Sequence, residues 1–297
     1  MSSFMLSLIT FTAITVLEVV SIFPLTGMTG LFSFGQAAYM AIGAYAAGIC
    51  AVQFGMPLIP CILIGVLISG LVALIVGIPT LKLRRDYFSL MSMCMGEAIK
   101  AVLRQFSTVT GGAGGLSNIP KYVDSTTIII SAIFVVAIVA CFKNSSYGRM
   151  SLAIKTDELA ASSFGINVFN HKLKVYLFSS MIAGYAGALY AFYMSYIDPT
   201  MFGWAQSSQW VIFLFFGGVN SLTGSVISAI LLSVLPEAFR FATEARIILY
   251  TVLILLVINF RPQGLLGEKE FSIKGLKKIF SGKSKKVGGD RSGVAKG

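Results

Sequence analysis

Residues 57–79 read PLIPCILIGVLISGLVALIVGIP and contain no charged side chain. A helix rises about 1.5 Å per residue, so about 20 apolar residues cross the roughly 30 Å hydrocarbon layer of a membrane. This stretch therefore predicts a helix that spans a membrane. Because lipid offers no hydrogen-bond partner to backbone groups, other apolar runs of similar length predict helices as well.

The composition of the whole chain indicates that lipid is its main solvent. Of the 297 residues, 56% are hydrophobic and only 12% are charged, whereas an average soluble domain has about 25% charged residues. A mean hydropathy of +0.84 points the same way. This balance excludes a disordered chain, a secreted disulfide-rich scaffold and a DNA-binding domain.

The apolar runs predict an all-α polytopic membrane bundle of about eight or nine transmembrane helices. The nine candidate segments are 4–26, 36–54, 57–79, 88–106, 126–142, 173–196, 208–219, 222–239 and 247–260. The seventh segment is too short to cross a membrane comfortably. It and the eighth can instead form broken or re-entrant half-helices, which would reduce the count to eight.

The distribution of Lys and Arg predicts the orientation, because short basic loops stay on the cytoplasmic side. Nine alternating spans then place the N-terminus outside and the C-terminus inside the cytoplasmic membrane. Residues 1–267 form one transmembrane domain with a long cytoplasmic loop at 143–172, and residues 268–297 form a basic cytoplasmic tail. Nine of the 23 Lys and Arg residues lie in that tail, so the net charge of +11 indicates no nucleic-acid partner. The tail either contacts anionic lipid or only marks the cytoplasmic side.

The cytoplasmic loop contains the pattern of a short helix from Asp157 to Phe164. Thr156 is predicted to cap this helix, and the acidic residues after it suit its positive N-terminal end. Small residues at Ala160 and Ala161 permit close approach by a soluble partner, and Gly165 is predicted to end the helix. An ordinary solvated loop helix is the equally simple alternative.

Few residues in the apolar segments carry a charge. Glu18 lies near the middle of the first segment, where a charge is costly. It either senses an ammonium group of a substrate or is a protonated or hydrogen-bonded packing residue. Glu97 and Lys100 lie three positions apart on one helical face and are predicted to pair.

The sequence predicts no catalytic and no metal site. His171 is the only histidine, and the four cysteines lie in apolar runs without the spacing of a zinc site. The glycine-dense turn that begins at Thr110 offers bare backbone N–H groups for a carboxylate, or is simply a flexible loop.

Several motifs in the same order resemble those of one transporter family. The stretch 158–161, ELAA, followed by GIN at 165–167 resembles the EAA-type coupling loop of ABC importer permeases, in the form used by the branched-chain amino acid (LivM-type) family. GMTGLFSFGQAAY at 27–39 resembles the family's GYxGxxSLGHAAF stretch, with Gln36 where histidine is usual. The further motifs are LRRDYF at 83–88, GEAIK at 96–100, TGG at 110–112, GLSNIP at 115–120 and RPQGLLG at 261–267.

This resemblance implies a permease domain over 1–267 that works with other subunits. It implies a second, related permease, two cytoplasmic ATPase subunits that use ATP, and an extracytoplasmic substrate-binding protein, with no cofactor in this chain and no enzymatic activity. The predicted coupling residues are Asp157, Glu158, Ala160, Ala161 and Gly165. The predicted substrate-path residues are Glu18, Ser33, Gln36, Glu97, Thr110, Gly111 and Gly112.

The substrate is left open by this resemblance, because members of the family carry hydrophobic amino acids, other amino acids, urea or short amides. The expectation is a branched-chain or hydrophobic amino acid, and urea or a short amide is the alternative. A transporter driven by an ion gradient is a further alternative, but it would need paired intramembrane charges and inverted repeats.

Overall fold

The computed structural model describes residues 3–238, 251–252, 254–255, 259–260 and 264–265. Most of the ninth predicted segment and the whole basic tail at 268–297 lie outside these residues. The described chain forms helices and no β-strand, and Leu116 and Ile197 pair in one isolated antiparallel bridge. The all-α prediction is confirmed for this part of the chain.

Eleven α-helices lie in the described part, and short 3₁₀ turns cover Gly112–Gly114 and Pro199–Phe202. The α-helices are α1 Ser3–Ile22, α2 Gln36–Phe54, α3 Leu58–Thr80, α4 Arg85–Gln105, α5 Ser107–Thr110, α6 Ser125–Asn144, α7 Ser146–Thr156, α8 Glu158–Ser163, α9 Val168–Met194, α10 Trp204–Gly217 and α11 Leu222–Ala238.

Five stretches are long and apolar enough to cross a membrane. They are Phe4–Met28, α2, α3, α6 and α9. Helices cover eight of the nine predicted segments, but α4 carries Glu97, Lys100 and Arg104, and α10 and α11 are only 14 and 17 residues long. The predicted count of eight or nine spans is therefore not confirmed.

Helices α2, α3 and α9 pack closely because glycines line their contacts. A Cβ atom added to Gly43 would lie 2.1 Å from the carbonyl oxygen of Gly184, and one added to Gly187 would lie 2.0 Å from that of Met40. Small residues allow helix backbones to approach in this way in membranes, where the hydrophobic effect gives helices no reason to associate.

The first helix does not continue regularly to its end. A π-helical segment, Phe23–Met28, follows α1 and contains Pro24 near its start. Proline removes a backbone donor and disturbs the regular helix, so the break has a local cause. The chain then turns back, and α2 begins at Gln36 inside the bundle, where this side chain is fully buried.

The loop at 143–172 contains two short helices, α7 and α8, where the sequence predicted one. Ser145 caps α7 by accepting a hydrogen bond from the backbone N–H of Gly148. Helix α8 lies within the predicted range 157–164. We call the end of the bundle that carries α7 and α8 the loop end.

Candidate functional site

Helix α8 is capped by Asp157. Its Oδ1 accepts hydrogen bonds from the backbone N–H groups of Leu159 and Ala160, at 2.8 and 3.1 Å. The predicted cap, Thr156, is wrong: its hydroxyl donates to the carbonyl oxygen of Leu152 inside α7. Aspartate is the better cap here because the backbone of Asp157 is extended while that of Thr156 is still helical.

Glu158 joins α8 to two long helices. Its carboxylate lies 3.3 Å from Nε of Arg85, the first residue of α4, and 2.7 Å from Nζ of Lys172 in α9. The side chain of Lys172 is only 8% exposed. Glu158 therefore faces the bundle, so the structure gives this predicted coupling residue an internal contact.

The guanidinium group of Arg85 also binds the end of α7. Its Nη2 donates to the carbonyl oxygens of Ile154 and Lys155, at 3.3 and 3.0 Å. Charge-assisted hydrogen bonds of this kind are stronger than neutral ones. The beginning of α4 and the α7–α8 loop are thus held as one unit.

Two large apolar side chains are exposed at α8, one within the helix and one directly after its last residue. Leu159 is 80% exposed and Phe164 is 87% exposed. Of the predicted coupling residues, Asp157, Ala160 and Gly165 are also exposed, whereas Ala161 is buried beneath the helix. Leu159 was not among the residues predicted from the sequence, although a large apolar residue in a polar loop was the available signal.

A partly open cavity of about 330 Å³ lies between α1, α2, α9, the 3₁₀ turn Pro199–Phe202 and α10. Its lining residues are Phe11, Ile14, Thr15, Glu18, Met40, Tyr190, Met201, Phe202, Gln206 and Trp210. Glu18 is fully buried, and among the described residues neither of its carboxylate oxygens has a hydrogen-bond partner. Of the seven predicted path residues, only Glu18 lines this cavity.

Gln36 belongs to a separate polar cluster at the start of α2. Its Nε2 donates to Oγ and to the carbonyl oxygen of Ser179, at 2.9 and 3.1 Å. The next residue, Ala37, donates its backbone N–H to Oγ of Ser207 at 2.8 Å. Ser33 is also fully buried, and its hydroxyl finds no hydrogen-bond partner in the described part of the chain.

Glu97 and Lys100 form the predicted pair, with Oε2 and Nζ 2.5 Å apart. Oε1 of Glu97 also accepts a hydrogen bond from the backbone N–H of Trp204 at 2.9 Å. A carboxylate at this position satisfies a free donor at the start of α10. The pair therefore connects α4 with α10.

The turn at Thr110 is held by several backbone contacts. The Thr110 hydroxyl donates to the carbonyl oxygens of Leu103 and Phe106, both at 2.6 Å. Gly111 and Gly112 have left-handed φ values of +77° and +61°, which favour glycine. The turn then joins the bridge between Leu116 and Ile197 and does not line the cavity.

Within the described residues, no group of three or more His, Cys, Asp and Glu side chains is placed to hold a metal ion. The two features that stand out are instead a loop end with exposed apolar side chains at α8 and a partly open cavity beside one buried carboxylate. Both belong to a bundle that includes five stretches long and apolar enough to cross a membrane.

Comparison with known proteins identifies the family. Residues 4–259 match the model of the family described as branched-chain amino acid transport system / permease component. Because the match covers most of the chain, the protein belongs to this family.

The relatives include permeases named for branched-chain amino acid transport. The high-affinity permease protein LivM of Salmonella typhimurium is 26% identical over 277 residues, which cover 81% of this chain and 64% of the relative. LivM of Escherichia coli is 27% identical with the same coverage. The chain thus spans 64% of the length of these two relatives.

A second type of permease is similar as well. LivH of Salmonella typhimurium is 25% identical over 203 residues, which cover 67% of this chain and 65% of the relative. No solved structure matches the chain. The named relatives are transport permeases, and the apolar helices agree with a multi-pass membrane protein.

Proposed function

We propose that this chain is a permease subunit of an ATP-binding-cassette importer that carries branched-chain and other hydrophobic amino acids across the cytoplasmic (inner) membrane. The family and the names of its LivM relatives support the class and the substrate. Similarity to LivH supports a second, related permease as partner. Two ATPase subunits that bind and hydrolyse ATP, and an extracytoplasmic binding protein, complete the importer.

The observation that carries the proposal is the arrangement of α8. Leu159 in this helix and Phe164 directly after it are exposed, while Glu158 attaches the helix to α4 and α9. A short segment with exposed apolar side chains fits a groove of a soluble protein. An ATPase bound to α8 would therefore contact a helix that is already joined to α4 and α9.

The contacts give a route for alternating access. When the two ATPases close on ATP, α8 moves with them, and the ion pairs of Glu158 transmit the movement to α4 and α9. Packed helices respond as rigid elements with discrete arrangements, so a small shift at the loop end can change the accessible side of the bundle. The substrate path then opens to one side at a time.

The cavity favours a hydrophobic amino acid over urea. Six of its lining side chains are large and apolar, namely Phe11, Ile14, Met40, Met201, Phe202 and Trp210. Urea and short amides need a site dominated by hydrogen-bonding groups, whereas an aliphatic side chain is stabilised by such walls. The basic tail at 268–297, in the orientation with a cytoplasmic C-terminus, remains a predicted contact for anionic lipid.

The test is co-purification followed by transport. The tagged chain is purified from its native membrane, bound subunits are identified by mass spectrometry, and leucine uptake is measured in proteoliposomes with and without internal ATP. We expect two ATPases, a second permease and ATP-dependent uptake. Phe164→Asp should reduce the amount of bound ATPase at least about tenfold, because it places a charge in an apolar contact.

Phe54→Asp is the matched control. Phe54 is also an exposed phenylalanine, but it lies at the end of α2 opposite the loop end. The Phe54→Asp substitution should leave ATPase binding unchanged. Transport by the chain alone without ATP would overturn the importer, ATP-driven uptake of urea instead of leucine would overturn the substrate, and normal ATPase binding by Phe164→Asp would overturn the docking helix.

A further inference from the structure

We propose that the partly open cavity beside Glu18 binds the primary ammonium group of a hydrophobic α-amino acid. This inference rests on the proposed function and specifies where the chain recognises its substrate. The cavity gathers residues from α1, α2, α9 and α10 and the turn that precedes α10. All of these lining residues therefore come from this chain.

The carboxylate of Glu18 has no hydrogen-bond partner in the described part of the protein. The residue is 0% exposed, and neither oxygen accepts a hydrogen bond from the described part of the protein. The ion pairs of the loop end and of α4 join other residues, namely Arg85, Glu97, Lys100, Glu158 and Lys172. Buried polar groups in proteins are nearly always satisfied, and a buried charge is nearly always paired. Because no part of Glu18 is accessible from the cavity as it stands, the side chains around it must shift for a cation to reach its unpaired carboxylate, and the group then has the chemistry to receive one.

Most of the side chains that line the cavity are apolar. Ile14, Met40 and Phe202 are apolar and buried, and Trp210 is almost fully buried beside them. A volume of about 330 Å³ is at the lower end of the range for small-molecule sites, which is roughly 300–1,000 Å³. Such a site suits a small molecule with an aliphatic chain and a charged head, and it does not suit a hydrated inorganic ion.

Gln206 offers a polar group for a carboxylate on the same ligand. It lines the cavity from the first turn of α10, and its side-chain amide can donate to an anion. Thr15 and Tyr190 also line the cavity, but their hydroxyls already donate to the carbonyl oxygen of Phe11 and to Sδ of Met201. One zwitterion can therefore direct its carboxylate to the Gln206 amide and its ammonium group towards α1.

A ligand can reach the cavity from one end of the bundle. Phe11 and Met201 line the cavity and are 41% and 39% exposed, so they form a rim. Phe11 lies two helical turns before Glu18 in α1, towards the end of the bundle opposite the loop end. A ligand can thus enter from the end that does not carry α8.

The test uses the complex purified from its native membrane, placed in lipid nanodiscs and washed free of binding protein. Binding is measured by calorimetry or NMR titration with three probes: L-leucine, 3-methylbutylamine, which lacks the carboxylate, and 4-methylpentanoate, which lacks the ammonium group. We expect leucine and 3-methylbutylamine to bind at least about tenfold more tightly than 4-methylpentanoate. In Glu18→Gln this preference should disappear.

Asp124→Asn is the matched control, because it neutralises an exposed carboxylate at the start of α6. It should bind all three probes like the wild type. If Glu18→Gln does not fold, Met201→Trp tests the same site by narrowing its rim without changing the carboxylate. It should weaken leucine and 3-methylbutylamine binding at least about tenfold.

Four results would overturn the site: equal binding of 4-methylpentanoate and leucine, unchanged preference in Glu18→Gln, unchanged binding in Met201→Trp, or no binding of any probe to the wild type. The importer is tested separately by ATP-driven leucine uptake. Uptake without probe binding rejects the cavity and keeps the importer, whereas Glu18-dependent binding without ATP-driven uptake rejects the importer and keeps the cavity.

Discussion

The ammonium group of Lys155 lies 2.7 Å from the carbonyl oxygen of Gly27 and donates a hydrogen bond to it. It also donates to Oδ1 of Asn220 at 2.6 Å, in the turn between α10 and α11. Gly27 belongs to the π-helical segment that continues α1, the helix that carries Glu18. The loop end is thereby connected to the helix that lines the cavity, in addition to its contacts with α4 and α9.

We expect Lys155→Met to reduce ATP-driven uptake about tenfold or more while ATPase binding stays intact. Hydrogen bonds from a charged donor are worth about 1.5–3 kcal/mol each, and about 1.4 kcal/mol corresponds to a tenfold change. The substitution removes both bonds but leaves the exposed face of α8 unchanged. Uptake in proteoliposomes and co-purification of the ATPases measure the two quantities.

Lys82→Met is the control for this prediction. Lys82 is exposed and lies in the short turn between α3 and α4, at the same end of the bundle. Uptake by the Lys82→Met variant should match uptake by the wild type. Normal uptake by Lys155→Met would show that the connection to Gly27 plays no part in transport.

The pair formed by Glu158 and Lys172 should be measurable as a coupling energy. Lys172 is buried on α9, so Glu158→Gln leaves a buried ammonium group without its carboxylate. A fully buried pair loses about 3–5 kcal/mol when one partner is removed, and exposure of Glu158 reduces this to roughly 1–3 kcal/mol. The coupling energy is obtained from thermal unfolding of the single variants Glu158→Gln and Lys172→Met and of the double variant that carries both.

The double variant is its own control, because it removes both charges. Its stability should be closer to that of the wild type than the stability of the single variant Glu158→Gln is. Strictly additive effects would mean that the two side chains do not interact in solution.

The local features of the fold could be predicted from the sequence. Apolar runs predicted the helices, because backbone groups in lipid must bond within a helix. The Glu97–Lys100 pair was predictable for the same local reason, since residues three apart share a helical face. The choice of Thr156 as cap failed because two adjacent residues both suited that position, and only the backbone geometry separates them.

The functional contacts depend on residues far apart in the chain. Glu158 contacts Arg85, which lies 73 positions earlier in the chain. No periodic pattern in the sequence predicts such a contact. Glu18 was recognisable as a single acid in an apolar run, whereas Tyr190 and Gln206 have no feature that predicts they line the same cavity. Long-range packing determines those positions.

We expect Gly187→Ala to destabilise the bundle strongly. The added Cβ would lie 2.0 Å from the carbonyl oxygen of Met40, so α2 and α9 must separate. Overpacking of this kind costs typically about 1–3 kcal/mol. The unfolding temperature in detergent should fall by several degrees relative to Gly114→Ala, whose Cβ meets no atom within 4 Å. Equal unfolding temperatures would contradict the close packing of these helices.

Gln36 should contribute to stability through its two hydrogen bonds to Ser179, which connect α2 with α9. Gln36→Leu keeps the size of the side chain but removes both bonds, at a cost of about 0.5–1.5 kcal/mol each. It also removes Oε1, which is buried without a partner in the described part of the chain, so the net loss is smaller than that sum. Gln36→His keeps a ring donor and should recover part of this loss. Gln53→Leu is the control, because Gln53 is exposed on the same helix. Thermal unfolding gives the order of the unfolding temperatures of the three variants. The proposed role of Gln36 requires Gln36→Leu to unfold at the lowest temperature, because it alone leaves buried acceptors without a donor.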